Sequence, residues 1–186
     1  DGCAERNDGG LSRFGVRVVQ EMNRVGMLVD GSHSGYQTTM EAMEISSVPF
    51  IFSHCNAWHL FPHYRNIKDD QIKSCAATGG VIGVNGLGEF LDDPHAKSET
   101  IFRHIEHMVD LVGPQHVGIG LDYVRDTDGF WDWVRSNPDQ WPPVNGKPHE
   151  NTKFGQPEQV AELCELMLSH QYAEEDVCAI LGGNFA

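Results

Sequence analysis

The chain has 186 residues, enough for one domain with its own core. Hydrophobic residues make up 40% and charged residues 22%, the composition of a globular protein. With 27 acidic against 13 basic residues the formal net charge is -14, which argues against nucleic acid and anionic membrane surfaces as partners. No apolar run approaches the roughly 20 residues that span a bilayer.

The opening DGCAERNDGG reads as loop rather than as a natural N-terminus, so any targeting segment is expected upstream. Ser12 is a plausible N-cap for a helix that carries Phe14, Val16, Val18, Val19, Met22 and Val25 and stops near Gly26. MLVD (27–30) reads as a buried strand, and a helix follows from about Tyr36 to Ile45. Pro49 opens the strand PFIF, with three apolar residues in a row as burial on both faces requires. SHCNAWHLFPHYRN (53–66) is a loop that holds His54, His59, His63, Tyr64, Arg65 and Asn66. A helix from Lys68 to about Ala77 precedes a third strand in GGVIGVN. Phe102, Ile105, Met108, Val109 and Val112 share one face of a helix near Ser98–Val112, which Gly113-Pro114 ends. VGIGLD (117–122) is the fourth strand. Residues 123–155 read as a long irregular segment, either a lid or a functional loop, with Trp131, Trp133 and Trp141 in it. Two helices close the chain, near Pro157–His170 and Glu174–Leu181.

Strand-sized runs separated by helices imply parallel βα units, and the polar residues at the strands' C-terminal ends stand where such folds place active sites. The expected fold class is α/β, with four parallel βα units plus C-terminal helices. Neighbouring strands lie about 4.8 Å apart, so His33 in DGSHSG and His54 in FSH could share one metal ion. Asp122 could bind a metal or take a proton from an activated water; it could equally cap a turn. Arg65 could hold a substrate carboxylate through two parallel hydrogen bonds, or form an ordinary surface ion pair. Asn85 could position substrate or finish a turn. His59 and His63 could line the mouth of the site or be solvated loop residues. The Gly-rich pieces TGGVIGVNGLG and VGIG lack the context of a nucleotide loop; glycine there lets backbone pack closely at strand ends. The five cysteines are widely spaced, without CxxC, and are expected to be reduced thiols in a reducing, cytoplasmic compartment.

Four units make only half of a (β/α)8 barrel, which takes about 250 residues. An isolated half would leave two open strand edges and a broad apolar surface. A missing N-terminal half, a second copy, or an open sheet covered on both faces would resolve this; the first is favoured.

GLSRFGVRVVQEMNRVGMLVDGSH, PFIFSH, HYRN, VGIGLD and ILGGNF, in this order, resemble the membrane dipeptidase (renal dipeptidase) family of zinc peptidases, bacterial members above all. The resemblance covers essentially the whole chain. It implies the C-terminal half of a (β/α)8 barrel over residues 1–186, hydrolysis of dipeptides including some with a C-terminal D-residue, and a centre of two Zn2+ ions. It implies His33 and His54 as ligands of one zinc, Arg65 as the holder of the substrate carboxylate and Asp122 as the catalytic aspartate. Homodimers are common in the family. The family's HxD pair and bridging Glu lie upstream of these motifs, and no HxD occurs here. The chain alone is therefore expected to ligand at most one zinc and to be inactive or nearly so without the N-terminal half. A mononuclear amidohydrolase-type hydrolase and a non-catalytic half-barrel acting in assembly or binding are the alternatives.

Overall fold

The computed structural model describes residues 1–141 and 151–186. Helix α1 (Arg13–Arg24) starts where Ser12 Oγ accepts from the Gly15 amide at 3.1 Å, the local bond that makes serine a good cap. It ends at Gly26, whose φ of +73° lets the chain reverse. Strand β1 (Val29–Asp30), helix α2 (Tyr36–Ile45) and strand β2 (Phe50–Ile51) form the first βα unit and its return. Helix α3 (Asp69–Ala77), strand β3 (Ile82–Val84), helix α4 (Ser98–Val112) and strand β4 (Val117–Ile119) repeat the pattern.

Both strand pairs are parallel: Val29 faces Phe50, and Ile82 faces Val117. A parallel bridge between Phe52 and Ile82 joins the pairs, with Gly83 N donating to Phe52 O at 2.7 Å. The strands therefore lie in chain order, β1-β2-β3-β4, with a helix in each crossover, as parallel pairing requires. The fold class is α/β with short parallel strands.

Phe50, Phe52, Ile82 and Val84 fill the core from the strands, and Ile101, Ile105 and Met108 close it from α4. The α4 stripe read from sequence is the stripe that is buried, with Val109 and Val112 partly so. A second, smaller cluster joins Leu87, Phe90, Trp131, Val134 and Phe154.

Two expectations are corrected. Segment 123–155 contains a helix, α5 (Thr127–Ser136), capped by Asp126, whose carboxylate accepts from the Gly129 amide at 3.0 Å. Its buried residues Trp131 and Val134 are three apart, one apolar stripe too short to stand out among Trp, Pro and Asp. The part of that segment over 142–150 lies outside the described residues. The second correction concerns MLVD (27–30), expected as a buried strand: only Val29 and Asp30 form β1, and Met27 and Leu28 are exposed, as is Phe14 of α1. Helices α6 (Gln159–Ser169) and α7 (Glu174–Ile180) follow the sequence reading closely. Among the described residues no helix is long and apolar enough to cross a membrane.

Candidate functional site

Because the strands run in one direction, their C-terminal ends share one edge of the sheet. Asp30 closes β1, Ser53 and His54 follow β2, Asn85 follows β3, and Asp122 lies just past β4. Close approach of the backbones sets this edge. A Cβ at Gly83 would come within 2.2 Å of the Ser53 carbonyl oxygen, and one at Gly120 within 2.0 Å. Only glycine at both positions lets Ser53 and His54 sit where they do.

Asp30, Ser53 and His54 form a chain of short hydrogen bonds. Ser53 Oγ lies 2.5 Å from Asp30 Oδ2 and 2.7 Å from His54 Nδ1. Burial pushes the Asp30 carboxyl up, but hydrogen bonds from Ser53 and Ser32 outweigh it and hold the group below its ordinary value. The carboxylate therefore takes the single hydroxyl proton, and His54 Nδ1–H donates to Ser53 Oγ. That fixes the tautomer and leaves the Nε2 lone pair free. Ser32 Oγ accepts from the His54 amide at 3.1 Å and anchors the same turn.

His33 faces His54, with ring centroids 5.0 Å apart and planes at 58°. Burial, then the Arg65 guanidinium and His54, lower the His33 pKa to about 4. Burial also lowers that of His54, with Asp122 opposing the shift at both rings. Both imidazoles are thus neutral at neutral pH, the form that ligates metals. His33 and Asp122 both adopt the left-handed region, with φ of 69° and 56°. His and Asp tolerate it better than most residues, but it still costs free energy there.

Asn85 is fully buried. Its Nδ2 donates to Asp122 Oδ2 at 3.2 Å, and its Oδ1 accepts from the Leu87 amide at 2.6 Å. The side chain stands behind Asp122 instead of facing the cleft, because the strand end turns it inward.

Arg65 is only 5% exposed. One NH2 group reaches the His54 carbonyl at a long 3.5 Å, Nε has no hydrogen-bond partner, and the guanidinium lies 5.1 Å from the Phe90 ring centroid. Among the described residues no carboxylate pairs with it. A surface ion pair, the bland alternative for this residue, is not what the structure shows. His63 holds the Arg65 backbone, since its Nδ1 accepts from the Arg65 amide at 3.2 Å. His59 instead stacks on His107, 4.9 Å away, and does not line the cleft. Cys55 is buried and its thiol is pushed up to about 11 by burial, so it is a packing residue. All five cysteines are free thiols.

His33, Arg65 and Asp122 border one cavity of about 400 Å³. Its other wall is apolar and comes from Leu87, Phe90, Val124, α5 and Phe154. Asp30 and Ser53 stand out in the sequence because each directly ends an apolar run, but nothing there shows that they pair; the wall left only its aromatic residues as a signal.

A sequence model described as membrane dipeptidase (peptidase family M19) matches residues 1–135. An uncharacterized dipeptidase of Schizosaccharomyces pombe is 40% identical over 119 residues, which is 62% of this chain and 29% of that protein. An amidohydrolase of Pseudomonas aeruginosa superposes with a TM-score of 0.80 at 32% identity, covering 99% of this chain and 57% of that one. A metallo peptidase of Rhodobacter sphaeroides, liganded with a phosphinate mimic of the dipeptide L-Ala-D-Ala, superposes with a TM-score of 0.73 at 24% identity and shares the fold, over 95% of this chain and 45% of that one. The chain thus spans between about a third and about half of the length of these relatives. With a family model matched over most of its length, and with the SH, SH, RN and LD positions gathered at one sheet edge, the chain belongs to the membrane dipeptidase family, peptidase family M19.

Proposed function

We propose that this chain supplies half of the active site of a zinc-dependent dipeptidase, with a (β/α)8 barrel completed by an N-terminal half. The observation that carries the reading is the buried Arg65, paired with no carboxylate among the described residues, on the same cavity as His33, whose ring stands 5.0 Å from that of His54. A buried unpaired cation is costly, and an anionic substrate group that completes its hydrogen bonds offsets that cost. The free carboxylate of a dipeptide has the right charge and the planar geometry for a guanidinium.

The donor set fits a metal in part. His33 and His54 would hold one ion, His54 through Nε2 because Nδ1 is committed to Ser53. Catalytic zinc normally takes three protein ligands. Among the described residues no group of three His, Cys, Asp or Glu is gathered to hold an ion, which favours a shared centre over a mononuclear site built from His33, His54 and Asp122. When bound, the metal supplies Lewis-acid polarisation of the peptide carbonyl and activation of water. The residues of this chain do the rest. Arg65 fixes the C-terminal carboxylate, and Asp122, held by Asn85, accepts the proton of the attacking water. The water oxygen bonds to the carbonyl carbon, the C–N bond breaks, and Asp122 returns the proton to the leaving amine.

The need for a further half rests on the exposed apolar surface. Phe14 and Val18, one turn apart on α1, are exposed, as are Val25 at its C-cap and Met27 and Leu28 just before β1. The outer edge of β1 pairs with no other strand among the described residues. A missing barrel half would cover both.

The test is His54→Ala in the protein that carries both halves. Loss of one equivalent of zinc and of nearly all dipeptide hydrolysis is expected. Full activity with unchanged metal content would refute the ligand assignment.

A further inference from the structure

We infer that the cavity beside Arg65 is a side-chain subsite selecting dipeptides whose C-terminal residue is large and apolar. The inference rests on the dipeptidase reading and adds a substrate class to it.

The lining of the cavity is of two kinds. His33, Arg65 and Asp122, with Glu89 and Gln140, are its polar residues. Val124, Phe130, Trp131, Trp141 and Phe154 make an apolar wall. The aromatic wall is rigid: Phe130 meets Trp131 edge-on at 5.1 Å, Phe154 at 5.2 Å and Trp141 at 5.9 Å. Trp131 Nε1 donates to the Thr152 carbonyl at 2.8 Å, so its one polar hydrogen is committed to the backbone. The volume of about 400 Å³ is in the range of small-molecule sites, and apolar walls with few convergent polar groups are their usual build.

Arg65 decides which residue of the substrate enters. The carboxylate it holds belongs to the C-terminal residue, and the side chain one bond from that carboxylate's Cα is the one nearest the guanidinium. Phe90 under the guanidinium marks where polar surface gives way to apolar surface. Glu89 also lines the cavity, so an acidic side chain there would meet both Glu89 and Asp122. The chemistry therefore favours leucine- or phenylalanine-like residues over glycine and over aspartate.

Arg65 and every wall residue named lie in this chain, which supplies half of the proposed active site, so the test is peptide binding to the protein that carries both halves, stripped of metal by a chelator so that no peptide is cleaved. Trp131 and Trp141 report occupancy through tryptophan fluorescence. Glycyl-leucine should bind about ten- to a hundredfold more tightly than glycyl-glycine, the gain expected from burying one aliphatic side chain. Val124→Phe, which fills the space beside the apolar wall, should pull that ratio toward one. A folded variant is verified by its near-UV circular dichroism. A ratio within twofold in the wild type, or tighter binding of glycyl-aspartate or glycyl-lysine than of glycyl-leucine, overturns the subsite. If Arg65→Gln still weakens all of these peptides, the carboxylate reading survives that result. If no dipeptide binds at all, the dipeptidase reading falls and the subsite with it.

Discussion

Removing the Ser53 hydroxyl tests how His54 would be prepared for the metal proposed to bind it. Ser53→Ala deletes the group that bridges Asp30 Oδ2 at 2.5 Å and His54 Nδ1 at 2.7 Å. In the wild type a charge-assisted bond orders the hydroxyl proton, and the hydroxyl oxygen holds the imidazole with its proton on Nδ1. Without it, Nδ1 and Nε2 compete for the proton, the ring can turn, and the partial negative charge that raises ligand basicity is lost. Groups that orient metal-binding histidines typically contribute 10–100-fold in metal affinity, or about 1.4–2.7 kcal/mol. Asp30→Asn should have a similar effect, because a neutral amide accepts the Ser53 proton more weakly. Zinc affinity measured by chelator competition, with the His54 tautomer read from nitrogen chemical shifts, checks both variants. An unchanged affinity with His54 still protonated on Nδ1 would show that the chain of bonds plays no part.

Three further outcomes follow from the geometry. Arg65→Met should stabilise the chain by about 1–4 kcal/mol, because it removes a buried cation that no carboxylate pairs, and should raise KM for free dipeptides in the protein that carries both halves; urea unfolding and kinetics check the two, and a destabilised variant would mean that the contacts of Arg65 with the His54 carbonyl and Phe90 outweigh the cost of its burial. Gly120→Ala should cost about 1–3 kcal/mol and lower zinc affinity, because its Cβ would come within 2.0 Å of the Ser53 carbonyl that precedes His54; wild-type stability and affinity in that variant would contradict the packing argument. His104 is buried, its Nδ1 accepts from the Ala57 amide at 3.1 Å, and burial, then Arg103 and His107, hold its pKa down to about 3 from 6.5. The unfolded chain takes a proton below pH 6.5 that the folded chain refuses, so this contribution is present above that pH and fades as pH falls toward 3. Between pH 7 and pH 5 it should cost about 2 kcal/mol, and His104→Asn, whose Oδ1 can take the place of Nδ1, should flatten that slope in urea unfolding.

The parts of this fold that sequence revealed are those with a local cause. Ser12 caps α1 within three residues, and the α4 stripe is carried by spacing alone. His33, His54 and Asp122 were legible because each follows an apolar run too short for anything but a buried strand. What escaped depends on contacts between distant segments. Asn85 looked like a cleft residue, since it ends a strand as the others do. Its inward turn follows from the Asn56 side-chain Oδ1, which accepts from its backbone amide at 3.1 Å, and from Asp122 in front of it. The aromatic wall joins Phe90, α5 and Phe154, which only the tertiary fold brings together. Helix α5 itself was hidden because its apolar positions are also its indole and phenyl positions, which read equally well as a loop rich in aromatics.

Several costs are concentrated at one sheet edge. His33 and Asp122 are held at positive φ, Arg65 is buried with its Nε unsatisfied and no carboxylate beside it among the described residues, and Ser53 is wedged between two glycines. A fold selected only for stability would relieve each of these with a single substitution. Their coincidence at the C-terminal ends of four parallel strands is hard to explain by packing, because the core beneath is filled by ordinary aliphatic and aromatic side chains. Strain that is scattered argues for imperfect folding, whereas strain gathered around two neutral imidazoles and a guanidinium argues for a site kept ready for ligands that repay it. Asp122→Asn separates the two explanations: its Oδ1 can keep the hydrogen bond from Asn85 Nδ2 and asparagine tolerates positive φ, so the fold should stay about as stable as wild type, while loss of the carboxylate base should abolish dipeptide hydrolysis in the protein that carries both halves. A large loss of stability in that variant would show that Asp122 is held where it is by structure alone.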